Sequence, residues 1–186
     1  MTASSFHIIA PAFNLPAQSD AESFGAIVWL WMHSSRHSSH PIYALEQTLL
    51  PAVHLGQYIL VMKLDAHSGA RKPIGYLGWA NLSAEAEARY LQNPISGLTR
   101  DDWSSGDRMW FIDFVAPFGE AAKVHSLWKP LIAKSSGRFM YHRSNERGIQ
   151  VRQFTGAQVT PEEARQWWAQ RPMLAVPPNV TAAPIR

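Results

Sequence analysis

The stretch that most constrains the fold runs from Asp107 to Gly119 and reads D-R-M-W-F-I-D-F-V-A-P-F-G. Read with a period of two residues, its apolar side chains occupy both faces, which predicts an interior strand buried on both sides. Asp113 is the ionisable group within this apolar run. Because burial of an unpaired carboxylate is costly, Asp113 must be paired, protonated or involved in chemistry. A structural aspartate held by backbone N–H groups is the alternative that this stretch leaves open.

A strand-to-helix turn follows this strand. The sequence A-P-F-G breaks the extended pattern, and a helical pattern begins near Glu120. Open α/β sheets bind ligands at the carboxyl ends of their strands, beside such turns. The position of Asp113 therefore makes it a candidate site residue.

The length of 186 residues suits one compact domain, and a hydrophobic content of 46% supplies a core. We expect a flexible N-terminal extension over residues 1–20, a single domain over 21–170 and a proline-rich tail over 171–186. No apolar run approaches the roughly 18 residues of a transmembrane helix, and the N-terminus has no signal-peptide pattern. The absence of cysteine excludes disulfides, thiolate metal sites and cysteine nucleophiles, and favours the cytoplasm.

Positive charge is concentrated between Glu120 and Gln153, a segment that contains seven lysine and arginine residues and two glutamates. Such a segment suits an acidic partner, and a solvated surface without a partner is the alternative. Nucleic acid is disfavoured, since the basic residues are scattered and no stacking motif accompanies them. The seven are Lys123, Lys129, Lys134, Arg138, Arg143, Arg147 and Arg152.

The patterning predicts the order α-α-β-β-α-β-α-β-β-α, which is an α+β layout. Ser83 and Thr160 are predicted helix N-caps, the latter followed by proline and two acids. The remaining predicted helices cover about 23–32, 43–50 and 120–133, and the remaining strands 57–64, 73–80, 138–142 and 149–154. This layout is compatible with an acetyltransferase-like sheet, although the pattern alone does not single out that fold.

Three histidines, His33, His37 and His40, crowd the turn after the first predicted helix. His-rich turns bind zinc, so a metal-dependent hydrolase is one interpretation. No carboxylate lies nearby in sequence and no H-E-x-x-H motif exists, which weakens it. The other interpretation is a single catalytic histidine with Asp113 as its partner, and sequence separation alone cannot support that pairing.

Several short blocks occur in a fixed order between residues 25 and 120. They are Trp29-Leu30-Trp31 with Ser34 and His37, Leu50-Pro51-Ala52, Gln57-Tyr58, Trp79-Ala80-Asn81-Leu82-Ser83, Asp102 to Arg108, Trp110 to Asp113, and Ala116-Pro117-Phe118-Gly119. Each block is short, but their combination is specific. In this order they resemble the RTX toxin-activating lysine acyltransferases of Gram-negative bacteria.

The resemblance implies a fold similar to the GNAT acetyltransferases, with a central mixed sheet flanked by helices. It implies transfer of a fatty acyl chain from acyl carrier protein to internal lysines of an RTX protoxin, with acyl-ACP as donor substrate and no bound cofactor or metal. The essential histidine and aspartate of the family match His37 and Asp113. Ser34 and Asn81 are expected to support the site or bind substrate, whereas His33 and His40 are expected to be surface or supporting residues. A homodimer is left open.

The residue types suit this chemistry. A free lysine has a pKa of about 10.4, so deprotonating it at pH 7 costs roughly 4.6 kcal/mol. A neutral imidazole can accept that proton while a buried carboxylate stabilises the imidazolium. An acyl-imidazole intermediate is the competing mechanism.

The turn after the central strand bears on the acyl donor. Acetyltransferases that use coenzyme A usually have a glycine-rich loop that binds the pyrophosphate of the cofactor. In this chain the turn has one glycine, which is followed by Glu120. An acid at a helix N-terminus repels phosphate, which disfavours a coenzyme A-dependent enzyme. A non-catalytic binding module with the same fold is a further alternative.

Overall fold

A computed structural model describes residues 5–65, 67–94, 96–142 and 149–174 of the chain. Six strands form a mixed sheet in the order β1-β2-β3-β4-β5-β6. The pairs β1–β2, β2–β3 and β5–β6 are antiparallel, and β4–β5 is parallel. The strands are β1 (Ser5–Ile9), β2 (Tyr58–Leu64), β3 (Arg71–Leu82), β4 (Arg108–Val115), β5 (Ser136–His142) and β6 (Ile149–Thr155).

Helices accompany the sheet, so the predicted α+β class is confirmed and is compatible with a GNAT-like acyltransferase. Ser83 and Thr160 cap their helices through side-chain bonds to the backbone, as predicted. The helices are α1 (Asp20–Met32), α2 (Leu45–Thr48), α3 (Leu50–His54), α4 (Ala84–Gln92), α5 (Ala121–Trp128) and α6 (Pro161–Gln170). Within the described ranges, no helix combines the length and apolar character needed to cross a bilayer.

The predicted central strand is β4, which lies between β3 and β5 in the sheet order. Burial on both faces is confirmed for Trp110 and Val115, but Phe114 is 42% exposed, so that part of the prediction is wrong. The Phe114 ring meets Trp128, the last residue of α5, edge to face with the ring centroids 6.1 Å apart. An edge contact leaves the faces of the ring uncovered by that helix residue.

The N-terminal segment differs from the prediction. Residues 5–9 form β1 and pair with β2 from Ser5 opposite Leu64 to Ile9 opposite Leu60. Ile9 is 1% exposed, and a side-chain capping box at Ser19 then begins α1. The expectation of a flexible extension is therefore wrong for residues 5–9, because Ile9 is buried in the core. Residues 175–186 of the predicted proline-rich tail lie outside the described part of the chain.

The chain divides into two compact units, each with its own buried residues. The first comprises residues 5–78 and 113–130, and its core gathers β1, α1, α2, α3 and β2 with Tyr76 and Val115. Within it, α5 packs closely on β3: a Cβ at Gly75 would lie 2.4 Å from a methyl carbon of Val124. The second comprises residues 79–112 and 131–174, where Trp103 and Trp110 are almost fully buried.

Candidate active site

The first part of the site is the turn that follows α1. The backbone carbonyl of Ser34 accepts hydrogen bonds from the N–H groups of His37 and Ser38, at 3.0 and 2.9 Å. This tight turn brings the side chains of Ser34 and His37 together. The hydroxyl oxygen of Ser34 lies 3.0 Å from Nδ1 of His37.

The second part is Asp113, near the carboxyl end of β4. Its Oδ1 atom lies 3.1 Å from Nε2 of His37, and the side chains of His37 and Asp113 are 11% and 8% exposed. The contact has the distance of an ion pair without hydrogen-bond alignment, and among the described residues neither carboxylate oxygen has a hydrogen-bond partner. A buried carboxylate with so few donors can stabilise a positive charge that forms on the neighbouring ring during a reaction. The structure thus brings Ser34, His37 and Asp113 together, as expected of a site.

An aromatic side chain fixes the histidine ring from one face. The ring of Trp31 lies 4.7 Å from that of His37, tilted by 31°. Trp31 also packs edge to face against His40, with the ring centroids 5.3 Å apart. His40 is held in turn by Thr48, whose hydroxyl oxygen lies 3.1 Å from Nε2. Burial, and then the proximity of His37, lower the pKa of His40, so a neutral ring supports Trp31 against His37.

A buried tyrosine contributes to the surroundings of Asp113. Burial, followed by the charges of Asp113 and Tyr58, raises the pKa of Tyr76 well above its ordinary value. Tyr76 therefore remains a neutral phenol in the first unit's core. Tyr76 and Thr48 were not predicted as site residues, because aromatic and β-branched residues at these positions are typical of ordinary core packing. Trp31 lies in one of the blocks of the family resemblance, but nothing in that block indicated that its ring packs against His37.

The third histidine of the turn is directed elsewhere. Nδ1 of His33 lies 2.8 Å from the carbonyl oxygen of Trp29, and its exposed ring packs against Trp29 and Phe118. Each of the three histidines therefore has its own polar partners, different from those of the other two. Among the residues that the structure describes, no group of three or more His, Asp or Glu side chains is arranged to hold a metal. The metal-dependent hydrolase thus lacks a donor set in the described part of the chain.

Comparison with known sequences identifies the family. The profile of the RTX toxin acyltransferase family matches residues 16–155. The chain belongs to this family. The match includes the turn that carries Ser34 and His37 and the strand that carries Asp113.

Characterised relatives agree with this assignment. The chain is 34% identical over 149 residues to the RTX-I toxin-activating lysine-acyltransferase ApxIC of Actinobacillus pleuropneumoniae, covering 80% of this chain and 83% of the relative. It is 32% identical over 146 residues to the protein-lysine myristoyltransferase RtxC of Kingella kingae, covering 78% and 83%. For the leukotoxin-activating lysine-acyltransferase LtxC of Aggregatibacter actinomycetemcomitans the identity is 46% over 98 residues, which is 53% of this chain and about half (54%) of the relative. The protein is an acyltransferase.

Asn81, the fourth predicted site residue of this acyltransferase, belongs to the second unit. It lies in β3, where its backbone carbonyl accepts a hydrogen bond from the N–H of Gly106 at 3.0 Å. This contact is structural and involves the backbone alone. A supporting or substrate-binding role for the Asn81 side chain stays a prediction.

One member of the predicted basic segment of the acyltransferase does not lie on the surface. Arg138 is 2% exposed and donates to Glu87 at 2.9 Å, so its prediction as part of a basic face is wrong: a buried guanidinium is kept there by its ion pair. Lys123, Lys129 and Lys134 are exposed. Arg143 and Arg147 lie outside the described residues.

The turn after β4 leads into α5 through Gly119, whose φ of +78° is in the left-handed region that favours glycine. Glu120 immediately precedes α5, and its carboxylate lies 2.6 Å from Nζ of Lys63. The acid at this helix start is therefore paired by a cation of the same unit. In the adjoining turn, the ammonium of Lys72 lies over the ring of Phe118.

Proposed function

We propose that this acyltransferase transfers a fatty acyl chain from acyl carrier protein to the ε-amine of internal lysines in an RTX protoxin, and that it does so in the cytoplasm. The observation that carries the proposal is the buried contact between His37 and Asp113 in a chain of the RTX toxin acyltransferase family. The names of its relatives, toxin-activating lysine acyltransferases and a protein-lysine myristoyltransferase, support the substrate class.

His37 acts on the attacking amine. Lysine is protonated at neutral pH, so one proton must leave to solvent before the neutral amine can attack the thioester carbonyl. As the bond forms, the nitrogen acquires positive charge and must lose a second proton, which a neutral imidazole accepts. Asp113 holds the ring and stabilises the imidazolium, and its burial strengthens that interaction. Transfer through an acyl-imidazole is the competing route.

The acyl donor is a phosphopantetheine thioester on acyl carrier protein. Support comes from the turn after β4, which has a single glycine where a cradle for the pyrophosphate of coenzyme A needs several backbone N–H groups in a glycine-rich loop. A carrier-bound phosphopantetheine lacks the ADP half of that cofactor and needs no such loop. Acyl carrier protein is acidic, and the exposed Lys123 and Lys129 of the α5 region are candidate contacts for it.

Intact mass of a co-expressed RTX protoxin fragment tests the proposal. The wild-type enzyme should add a fatty acyl increment to lysine, and His37→Ala should abolish it. His67→Ala, which changes an exposed histidine in the β2–β3 loop, is the matched control and should retain full acylation.

Other results would point to the alternatives. Acylation with purified acyl-CoA but not with acyl-ACP would contradict the donor and favour a coenzyme A-dependent enzyme. No acylation by folded wild-type protein with several acyl-ACP donors, combined with stable binding of the fragment, would favour a binding module. Charge reversal of Lys123 and Lys129 without weaker binding of acyl carrier protein would contradict the docking surface.

A further inference from the structure

The two ring nitrogens of His37 face chemically different partners. Nε2 lies 3.1 Å from a carboxylate oxygen of Asp113, whereas Nδ1 lies 3.0 Å from the hydroxyl oxygen of Ser34. An ionised carboxylate only accepts hydrogen bonds, while a serine hydroxyl can donate or accept. The Nε2–Oδ1 contact is not aligned as a hydrogen bond, but a lone pair on Nε2 would lie close to the lone pairs of that oxygen and be repelled. A neutral His37 therefore keeps its proton on Nε2, facing Asp113, and carries its lone pair on Nδ1, facing Ser34.

Access to the ring favours the same nitrogen. The Asp113 side chain, at 8% exposure, closes off Nε2, and Trp31 packs against the ring. Ser34 is half-buried and lies in an exposed turn, so the Nδ1 side is the more open one. A substrate amine that approaches Nδ1 meets the Ser34 hydroxyl before the ring.

We infer that the basic nitrogen of His37 is Nδ1 and that Ser34 relays the proton between the substrate amine and this nitrogen. The inference rests on the proposed function, since the amine is the lysine of the acyl acceptor. It assigns Ser34 a catalytic role that is more specific than support of the site.

The relay balances as follows. The neutral lysine amine forms a bond to the thioester carbonyl carbon, its N–H proton passes to the Ser34 oxygen, and the Ser34 hydroxyl proton passes to Nδ1. The tetrahedral intermediate then collapses, the C–S bond breaks with its electron pair on sulfur, and the imidazolium returns its proton through Ser34 to the thiolate. The products are an amide and a free thiol, with His37 and Ser34 restored.

The same geometry separates the two mechanisms that the residue types leave open. An acyl-imidazole would form on the nitrogen that carries the lone pair, and Ser34 occupies the space beside Nδ1. Acylation of the ring would require Ser34 to move away, whereas general-base catalysis uses Ser34 where it lies.

The tautomer can be measured without any substrate, by ¹⁵N NMR of the full chain with labelled histidine at about pH 8, above the ordinary histidine pKa of about 6.5. Two other histidines serve as internal references. Nδ1 of His33 faces a carbonyl oxygen and must donate. Nε2 of His40 faces Thr48, whose hydroxyl is committed to the carbonyl of Ala44, so this nitrogen donates as well.

His37 should show the tautomer of His40 and not that of His33, with resonances assigned from His33→Gln, His37→Gln and His40→Gln. A proton on Nδ1 of His37 would overturn the inference and leave the proposed lysine acyltransferase standing. Absence of lysine acylation in the mass experiment would instead count against the proposed function.

Kinetics test the relay itself. Ser34→Ala should lower kcat by about 100-fold, the lower end of the range typical of general acid–base catalysis, with KM for both substrates unchanged. Ser34→Thr keeps a hydroxyl and should restore most of the rate. Ser35→Ala, an exposed neighbour in the same turn, should behave as wild type.

The proton inventory in mixed H₂O and D₂O gives a readout that a structural role would not change. The wild-type profile should be curved, as expected for two protons in flight, and Ser34→Ala should give a linear one. A linear wild-type profile, full activity of Ser34→Ala, or an acyl-enzyme trapped on Ser34 would each overturn the relay.

Discussion

Two buried carboxylates, one in each unit, have opposite surroundings. Glu87 in α4 has a side chain that is 1% exposed, and it accepts hydrogen bonds from Arg108, Trp110 and Arg138 at 2.8, 2.8 and 2.9 Å. Asp113 in β4 is almost as buried, yet its nearest polar contact is one imidazole nitrogen without hydrogen-bond alignment. The first carboxylate is saturated with donors, and the second is not.

The difference separates a structural carboxylate from a reactive one. The guanidinium groups bound to Glu87 also donate to the carbonyl oxygens of Arg171 and Pro172, so this cluster joins α4, β4 and β5 to the end of α6. Its full set of bonds repays the cost of burial. Asp113 has no such compensation within the described residues, and its free energy of burial falls when the neighbouring ring becomes cationic.

The comparison is tested most strongly at Asp113. Asp113→Asn should lower kcat by on the order of 10³- to 10⁴-fold, because the ring loses both its orientation and its counter-charge. The free energy of unfolding should stay level or rise, since an under-bonded buried charge is removed. Steady-state acyl transfer and urea denaturation measure the two effects. Asp101→Asn, at an exposed aspartate, is the control, and a large loss of stability in Asp113→Asn would contradict the distinction.

Glu87 should show the reverse behaviour. Glu87→Gln leaves two buried guanidinium groups without a counter-charge, so the free energy of unfolding should fall by about 3–5 kcal/mol. Enzyme that remains folded should keep its kcat. Glu85→Gln, at an exposed position of the same helix, should leave the free energy of unfolding close to that of wild type. Equal stability of the two variants would show that the Glu87 cluster does not anchor its unit.

A smaller effect is expected at His40, which lies near His37 and Asp113. Burial lowers the pKa of His40 in the folded state, so above the ordinary value of about 6.5 neither state carries the proton. As the pH falls below that value, the unfolded chain binds a proton that the folded chain resists, and stability is lost. Between about pH 7 and pH 5, the free energy of unfolding measured by denaturation should fall more steeply for wild type than for His40→Gln. Parallel slopes would contradict a neutral His40.

Local patterns predicted much of this molecule. The apolar run around Asp113, the Ser83 cap and the Thr160–Pro161 helix start are fixed by neighbours in sequence, and the structure has all three. Contacts between distant residues were a different matter. The strand at residues 5–9 is defined by its pairing with β2. The burial of Arg138 depends on its ion pair with Glu87. Neither feature leaves a pattern in the neighbouring sequence.

The site shows the same division. His37 and Asp113 were identified through a resemblance, and no periodicity could have shown that they meet. The arrangement of Trp31, His40 and Thr48 is likewise a product of tertiary packing. Apolar and polar side chains in a helix and a turn carry no signal of which ring they will support.

The first strand has a consequence for how the chain folds during its synthesis. Residues 5–9 are synthesised before their pairing partner, residues 60–64, which follows only after α1, α2 and α3 have been made. Until then the edge of β1 is unpaired and able to pair with other extended segments. A fusion partner placed directly before Ser5 would lie beside β1 while that strand is still unpaired. A short polar spacer between the two should therefore improve the yield of folded enzyme.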